Sequence, residues 1–336
     1  MYNPSEVGKK GTIFGLPYDA DESDLILLPV HFDVTTSYVD GTAQAPNLIL
    51  EESSQLDLSQ LAIHEPWNMK MAMIQGIGSL SENDRVRDLA KGVIDALENG
   101  NSPNKESLNQ VNAYCEQVHN EIENRCSDLL DQHKLIGIVG GDHSSPLGLI
   151  RAIAKRDQFG ILQIDAHMDL RNAYEGFTFS HASIMYNVLK EDSISSLTQV
   201  GIRDFCEEEE NYIANSIKQI DVFYDEVLFR NKMDGVSWSD QVKAMVDTLP
   251  DNVYISFDVD GLDPSLCPNT GTPVPGGLRF NEVIYLVEQV VRSGRKIVGF
   301  DLCETGNHAW DANVSARVLF RLAIAMGVSQ KLLSFK

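Results

Sequence analysis

The sequence predicts an α/β protein in which helices cover a mostly parallel sheet, and two patterns carry that prediction. Short apolar runs, each about the length of one strand, recur along the chain. Longer amphipathic stretches lie between these runs. Strands that alternate with helices imply right-handed βαβ units, and such units place their strands parallel in one sheet.

The predicted strands are mostly continuous apolar runs, which suits strands that are buried on both faces. In chain order they are Ile26–Val30, Met71–Ile77, Leu135–Val139, Ile161–Ile164, Leu197–Ile202, Ile220–Tyr224, Val253–Phe257 and Ile297–Leu302.

The predicted helices carry apolar residues at a spacing of three to four, which places these residues on one face. The clearest case is Glu106–Leu130, in which Val111, Cys115, Val118 and Ile122 share a face. The others are Val86–Leu97, Pro146–Ala154, Val242–Leu249, Asn281–Val291 and Val314–Met326.

The sequence predicts a single domain, because it contains no internal repeat and no low-complexity linker. The loop-like stretch Asn99–Lys105 lies between two predicted helices and does not separate two cores. The acidic run Glu207–Glu210 is predicted to begin a helix, where its carboxylates complement the helix dipole from a solvated face.

The charge of the chain excludes two classes of partner. There are 27 Lys and Arg against 49 Asp and Glu, which gives a formal net charge of −22. A nucleic-acid-binding protein needs clustered basic residues, and an anionic membrane surface attracts the same residues. The excess acid therefore indicates a soluble, self-repelling surface, or carboxylates that hold cations.

The cysteines and the N-terminus predict a reducing cytoplasmic location. The five cysteines are scattered and form no CxxC pair, which argues against both a disulfide framework and a zinc ribbon. The segment Met1–Lys10 is polar and has no apolar core of a secretory signal. No apolar run reaches the roughly 18 residues of a membrane span.

Three polar segments follow predicted strands, at the edge of a parallel sheet where ligands bind. They are Gly140–Ser144 (GGDHS), Asp165–Asp169 (DAHMD) and Ser256–Pro264 (SFDVDGLDP). Each alone is compatible with an ordinary turn or helix cap. All three together, at successive strand ends, favour a functional site.

The spacing of the acids in these segments points to metal ions. A spacing of two places Asp165, His167 and Asp169 on one side of an extended segment, and Asp258 and Asp260 follow the same rule. Buried carboxylates without partners cost several kcal/mol each, and no Lys or Arg lies in these segments. Carboxylates with a minority of imidazole suit manganese better than structural zinc.

These segments resemble the signature motifs of the ureohydrolase family, which comprises arginase, agmatinase and their guanidino-acid and formimino relatives. The resemblance extends from about Thr35 to Gly327 and includes Gly41-Thr42, Gly201–Arg203 and Thr270–Leu278. It implies a single three-layer α/β/α domain over residues 1–336, with a mostly parallel sheet of about eight strands. Residues 1–22 would form an N-terminal extension and a candidate oligomer contact, and the family implies a homotrimer or homohexamer.

The resemblance also implies two manganese ions per subunit and a set of site residues. One ion would be held by His143, Asp165, Asp169 and Asp258, and the other by Asp165, His167, Asp258 and Asp260. Glu304 matches the carboxylate that holds the guanidinium group, and His181 matches a proton-shuttling histidine at the rim.

The implied reaction is hydrolysis of a guanidine to urea and an amine. Two cations make hydroxide available near neutral pH, and Asp169 accepts its hydrogen bond and passes a proton to the leaving amine. Glu304 orients the cationic substrate, and His181 moves protons at the rim, where a near-neutral pKa is useful.

The substrate is less well specified by the sequence. Arg171 stands where arginases usually have Asn, and it suits either a substrate carboxylate or a structural salt bridge. Ala182 stands after His181 where the family usually has Gly. Thr305–Asn307 follows Glu304 where the family commonly has a Val-x-Pro pattern. The formimidoylglutamase branch has a similar Asp-Leu-Arg where this chain has Asp169-Leu170-Arg171, but it typically lacks a histidine equivalent to His181.

Agmatine is therefore the first expectation, with putrescine and urea as products. Arginase, guanidino-acid hydrolase, guanidine hydrolase and formimidoylglutamase are the alternatives. Nickel is an alternative to manganese. A related metal-dependent deacetylase would lack both the GGDHS ligand and the second Asp of DVD. A metal-bearing regulatory paralogue would not need to keep Glu304 and His181.

Overall fold

A computed structural model describes residues 3, 4 and 6–336. It contains one sheet of eight parallel strands in the order β2-β1-β3-β8-β7-β4-β5-β6. The strands are β1 Leu25–Pro29, β2 Met71–Met73, β3 Leu135–Val139, β4 Phe159–Ile164, β5 Ile194–Ile202, β6 Gln219–Tyr224, β7 Asn252–Asp258 and β8 Lys296–Cys303. The predicted α/β fold with a parallel sheet is confirmed, and each of the eight predicted runs contains a strand.

Helices cover both faces of this sheet. They are α1 Ala45–Ser53, α2 Leu80–Glu98, α3 Lys105–Asp131, α4 Leu147–Ala154, α5 Ile184–Val188, α6 Glu207–Asn215, α7 Asp225–Met233, α8 Trp238–Asp247, α9 Phe280–Arg292 and α10 Ala309–Ser329. Two apolar clusters form the core. One packs α1, α8, α9 and α10 against the sheet, and the other packs α2, α3, α4 and α5 against it.

The predicted helices are all present, and three further ones were not predicted. These are α1, α5 and α7. Helix α7 escaped the apolar pattern because three of its large apolar residues, Val227, Phe229 and Met233, are exposed. The predicted strand Met71–Ile77 is shorter, since only its first three residues pair along β1.

Part of the predicted N-terminal extension belongs to the core. Ile13, Phe14 and Leu16 are buried, and the ring of Phe14 packs at 5.0 Å from that of Phe320 on α10. Met1, Tyr2 and Ser5 of that extension lie outside the described residues.

Helix α10 is long and apolar enough to cross a membrane by length and composition alone. Of its most apolar window, 67% is buried within this fold, as in the core helix of a globular protein. The cytoplasmic location stays a prediction.

The strand order creates the place for a site. Strands β3 and β4 are consecutive in the chain, but β8 and β7 lie between them in the sheet. The connections on either side of such a point diverge and leave a crevice at the carboxyl ends of the strands, which is where open α/β sheets bind ligands.

Candidate metal centre

The three segments singled out in the sequence all lie at this crevice. Gly140–Ser144 follows β3, Asp165–Asp169 follows β4, and β7 ends at Asp258. The turn after β3 requires glycine, because a Cβ at Gly141 would lie 1.8 Å from the carbonyl oxygen of Phe32. That close approach lets the chain turn back and place its next polar residues over the sheet edge.

One half of the cluster surrounds the ring of His143. Its Nδ1 lies 2.9 Å from Asp165 Oδ2, 2.9 Å from Asp169 Oδ2 and 3.4 Å from Asp258 Oδ2. All four side chains are buried. Three carboxylate oxygens therefore converge on one nitrogen in a space from which water is largely excluded.

The other half surrounds His167. Its Nδ1 lies 3.0 Å from Asp260 Oδ2 and 3.6 Å from Asp165 Oδ1. Asp165 thus presents one oxygen to each half, as expected of a bridging ligand. Asp258 Oδ1 instead accepts a hydrogen bond of 2.8 Å from the backbone N–H of Asp260. The structure brings all six predicted ligands into one cluster.

If its four aspartates are ionised, the charges of this cluster do not balance without a cation. Its four aspartates carry −4 if ionised, and two protonated histidines would return only +2. Within the described part of the chain, no Lys or Arg forms an ion pair with any of these aspartates. Burial of such an excess is unfavourable unless divalent cations offset it.

Without bound cations, the pKa values of these side chains reflect the excess of negative charge. Burial raises the pKa of Asp258 well above its usual value, and Asp260 and Asp165 add to the rise. Burial and the neighbouring Asp165 raise the pKa of Asp169 to about 7. Burial would lower the pKa of His143, but the surrounding carboxylates outweigh it and raise that pKa.

An unsatisfied nitrogen shows that the donor set fits a metal ion. His143 Nδ1 is buried and makes no hydrogen bond of good geometry, although carboxylate oxygens lie at 2.9 Å. Carboxylate oxygens that lie this close to the nitrogen without a well-formed hydrogen bond are arranged as ligands of one shared ion would be. Mixed carboxylate and imidazole donors bind manganese, nickel and related divalent ions.

Buried amides fix the orientation of the Asp165 carboxylate. The side-chain Nε2 of Gln163 donates to Asp165 Oδ2 at 2.8 Å. Gln199 Nε2 in turn donates to Gln163 Oε1 at 2.6 Å and to the carbonyl oxygen of Met168 at 2.7 Å. This chain ties β5 to the loop after β4 and holds the carboxylate in one rotamer.

Backbone strain marks two of the predicted site residues. Asp169 has a φ of 55° and Glu304 a φ of 62°, both in the left-handed region that non-glycine residues rarely adopt. Backbone N–H groups of Met185 and Tyr186 bond to the carbonyl oxygen of Asp169. Surrounding contacts therefore hold a conformation that costs about 1–3 kcal/mol at such a position.

A cavity of about 140 Å³ leads from solvent to this cluster. It is lined by Ser37, His167, Asp169, Arg171, Tyr174, His181, Ala182, Asp204, Glu209 and Thr272. His181 begins a short 3₁₀ turn on its wall, and Ser180 caps that turn. Burial lowers the pKa of His181 to about 3, and the neighbouring His167 and His143 act in the same direction.

Arg171 contributes both a salt bridge and a cavity wall. Its Nε lies 3.9 Å from Glu209 Oε2, and its guanidinium group stacks over the ring of Tyr174 at 4.8 Å. The side chain is 34% exposed, and its terminal nitrogens have no hydrogen bond among the described residues. The structural salt bridge considered for this residue is therefore present, and its outer face still meets the cavity.

Glu304 contacts the backbone of the proposed ligand His143 and is not among the residues that line the cavity. Its Oε1 accepts a hydrogen bond of 3.0 Å from the backbone N–H of His143, whereas the buried Oε2 has no partner. Burial and the nearby Asp142 raise its pKa well above the usual value. A Cβ at Gly271 would come within 2.9 Å of Oε2, so a larger residue there would crowd that oxygen.

Sequence reasoning misplaced one cavity residue. Glu207–Glu210 does begin α6, but Glu209 is only 3% exposed and does not lie on a solvated face. Its carboxylate accepts hydrogen bonds of 3.0 Å from the backbone N–H groups of both Leu170 and Cys206. The glutamate three residues after the N-cap was the available signal, since a capping box uses that position. Tyr174 and Ser37 carried no signal in the sequence.

Comparison with known proteins agrees with this fold and cluster. The model of the arginase family matches residues 23–327. An N(1)-aminopropylagmatine ureohydrolase of Thermus thermophilus is 30% identical over 95% of this chain and 93% of its own length. An agmatinase of Pyrococcus horikoshii is 25% identical over 93% of this chain and 94% of its own length. The structure of proclavaminate amidino hydrolase from Streptomyces clavuligerus superimposes with a TM-score of 0.74, at 20% identity, over 96% of this chain and 99% of that one.

These matches define the class of the protein, a hydrolase that acts on the C–N bonds of linear amidines. The chain belongs to the arginase family. The predicted ureohydrolase resemblance is thus confirmed over nearly the whole length that the sequence motifs indicated.

Proposed function

We propose that the protein hydrolyses a guanidino compound to urea and an amine, with two divalent cations held by the six-residue cluster. The observation that carries the proposal is the convergence of these residues at the base of a cavity whose wall also carries His181. Agmatine is the substrate we place first, because relatives named for agmatine and aminopropylagmatine match along nearly the whole chain.

The proposed ligand sets follow the two halves of the cluster. His143, Asp165, Asp169 and Asp258 would hold one ion, and Asp165, His167, Asp258 and Asp260 the other. Manganese is our first choice, with nickel as the alternative. When bound, the pair supplies Lewis acidity, which makes hydroxide available near neutral pH.

The chain's own residues position the substrate and move protons. Glu304 Oε2, which has no partner, is the oxygen we propose for the guanidinium group. Asp169 would accept the hydrogen bond of the attacking hydroxide and pass a proton to the leaving amine. His181 Nδ1 lies 3.4 Å from Ser180 Oγ, so its Nε2 is the nitrogen we propose for proton transfer at the rim.

We further propose a single functional domain over residues 1–336, assembled as a homotrimer or homohexamer. The exposed part of residues 1–22 would lie at a subunit contact. Sedimentation analysis of the full chain and of a chain that begins at residue 8 tests this. Equal numbers of subunits in the two assemblies would remove residues 1–7 from the contact.

Release of urea by the manganese-loaded protein tests the proposed reaction. The panel would be agmatine, arginine, guanidinobutyrate, guanidinopropionate and free guanidine, with formiminoglutamate followed by formamide release. A product from at least one guanidino compound is expected. If no compound turns over with manganese or with nickel, the proposed reaction is wrong.

The variant Glu304→Gln is expected to weaken substrate binding while the metals stay bound. A neutral amide can still accept the N–H of His143 but no longer offers a charge to a guanidinium group. Loss of one charge-assisted hydrogen bond costs about 1.5–3 kcal/mol, so kcat/KM should fall roughly 10- to 150-fold. Steady-state kinetics and elemental analysis would measure both effects. Loss of metal in this variant would contradict the assigned role.

A guanidino acid is the second candidate substrate, and Arg171 is the observation that favours it. The free terminal nitrogens of Arg171 face the cavity and suit a carboxylate at the far end of the substrate. Asp204 on the same wall would favour a cationic end instead, and its side chain is 68% exposed.

The variant Arg171→Gln is expected to shift substrate preference toward the amine. Removal of a positive charge from the cavity wall favours a cationic tail and disfavours an anionic one. At a partly exposed site the effect is about 1 kcal/mol, which corresponds to roughly a fivefold change in relative kcat/KM for agmatine over guanidinobutyrate. An unchanged ratio would show that Arg171 serves only its salt bridge with Glu209.

A further inference from the structure

Residues 33–41, which we call the rim segment, lie between β1 and α1 and reach the wall of the cavity. Ser37 of this segment lines the cavity. Thr35 is completely buried, and its Oγ1 accepts the backbone N–H of His181 at 3.4 Å. The rim segment therefore contacts the turn that carries the histidine proposed for proton transfer.

The other end of the rim segment reaches the surroundings of Glu304. The backbone N–H of Val39 donates to the carbonyl oxygen of Gly271 at 3.3 Å. A Cβ at Gly271 would lie 2.9 Å from Glu304 Oε2 and 3.6 Å from the carbonyl oxygen of Val39. One segment thus touches the neighbours of both side chains that we propose for substrate binding and proton transfer.

Helix α2 holds the rim segment with three polar side chains spaced by four. Asn83, Arg87 and Lys91 share one face of the helix because of that spacing. Asn83 Nδ2 donates to Asp33 Oδ1 at 2.6 Å, and Asn83 Oδ1 accepts the backbone N–H of Asp33 at 2.9 Å. Lys91 Nζ lies 2.7 Å from Asp40 Oδ2. The outer two side chains therefore hold the two ends of the segment.

Arg87 is the central one of the three and holds the middle of the segment. Its side chain is 7% exposed, and its Nη1 donates to the carbonyl oxygen of Val34 at 3.1 Å and to that of Thr36. Its Nε lies 3.8 Å from Asp40 Oδ2 and has no hydrogen bond. One guanidinium group therefore joins the two residues that flank Thr35 to the acid near the end of the segment.

We propose that Arg87 is a positioning residue that holds the rim segment against the turn of His181 and the loop of Gly271. Its catalytic meaning rests on the proposed function, although Arg87 itself does not line the cavity. Loss of its guanidinium group should loosen the segment. The proposed metal ligands follow β3, β4 and β7, so both ions should stay bound.

Hydrogen exchange of the purified protein tests this anchoring without reference to activity. The variant Arg87→Met keeps an unbranched apolar stem and removes the donors. Loss of a hydrogen bond from a charged group favours local opening by about 10- to 150-fold. Amides of residues 33–41, 180–183 and 270–272 should therefore exchange at least about tenfold faster. Acceleration spread evenly over the chain would instead indicate general destabilisation and overturn the inference.

Steady-state kinetics of the manganese-loaded enzyme separate positioning from stability. A variant that is only less stable contains less folded enzyme, which lowers the apparent kcat and leaves KM unchanged. A displaced rim segment alters the surroundings of Glu304 and His181, so KM should rise as well as kcat fall. A displacement of about 1 Å can cost about 100-fold, and we expect kcat/KM to fall roughly 10- to 100-fold. Arg87→Lys, which keeps a charge near Asp40, should recover part of both parameters.

Arg85→Met on the same helix is the matched control. Arg85 is exposed, and its Nη2 lies 3.5 Å from Glu82 Oε1 on the helix surface. This variant removes the same charge from α2 and leaves the contacts of the rim segment in place. Its exchange rates, kcat and KM should match those of the wild type.

The outcomes distinguish this inference from the proposed function. If the wild type turns over no substrate, the proposed function is wrong, and exchange at residues 33–41 and 180–183 alone decides whether Arg87 anchors the segment. If the wild type is active and Arg87→Met keeps its exchange rates or its KM, only the inference is overturned. If Arg87→Met does not fold, Arg87→Lys decides through smaller changes in the same two measurements, and wild-type values for it would overturn the inference.

Discussion

Replacement of Asp258 by Asn is expected to abolish the binding of both metal ions and to lower kcat at least about 1,000-fold. The reason is that metal ions supply several kcal/mol of transition-state stabilisation. Asp258 is one of the two carboxylates proposed to be shared by the ions. Its Oδ2 lies 3.4 Å from His143 Nδ1, and its Oδ1 accepts the N–H of Asp260. Asparagine keeps that second contact, so the loss should report on charge and not on a collapsed loop.

The same variant should be more stable than the wild type when a chelator is present. Asp258 is buried beside Asp260 and Asp165, and this crowding raises its pKa well above the usual value. Neutralisation therefore relieves repulsion that the wild type otherwise offsets by binding cations or protons. Thermal unfolding with and without manganese would measure this. Manganese should raise the Tm of the wild type but not that of the variant.

A charge change elsewhere provides the control for Asp258→Asn. Asp128 is exposed on α3, and Asp128→Asn should bind two ions and keep its Tm response to manganese. Retention of both ions by Asp258→Asn would show that the carboxylate is not a shared ligand. Loss of metal together with a lowered Tm in chelator would instead indicate damage to the fold.

The fold and the cluster could be predicted from sequence because their signals are local. A run such as Leu135–Val139 is apolar on both faces, and β3 has those same bounds. Asp165, His167 and Asp169 recur at every second position directly after a strand, and this spacing predicts that their side chains share one side of the segment. Parallel strands present such ends at a common edge, which is why segments distant in sequence could be placed in one site.

The rest of the site depends on contacts that no local pattern encodes. Helix α7 exposes apolar residues and gives no amphipathic signal. Glu209 looks like a surface acid in the sequence, yet its carboxylate is enclosed by backbone donors from two segments. Ser256 Oγ lies 2.9 Å from His143 Nε2, although the two residues are 113 positions apart in the chain. Such a contact is a property of the strand order.

Replacement of His181 by Ala is expected to lower kcat by roughly 100- to 10,000-fold, the usual contribution of a positioned acid or base, with both metal ions retained. His181 lies on the wall of the cavity, and among the described residues no hydrogen bond joins its side chain to a proposed metal ligand. Its backbone N–H donates to Thr35 Oγ1 at 3.4 Å, a contact that alanine keeps. Elemental analysis of the variant should therefore match the wild type.

The pH profile of His181→Ala distinguishes the two forms in which this histidine could act. Burial lowers the pKa of His181 to about 3, so the imidazole is neutral throughout the assay range and serves as a proton acceptor. A histidine with a near-neutral pKa, as the sequence led us to expect, would produce a limb in kcat near pH 6–7 that disappears in the variant. The lowered pKa predicts instead that kcat falls by the same factor at every pH above about 5. His64, which is exposed and whose backbone N–H bonds to Ser334, supplies the control His64→Ala. Full activity in His181→Ala would remove the residue from the mechanism, and loss of a limb near pH 6–7 would show that bound cations and substrate return its pKa to the usual range.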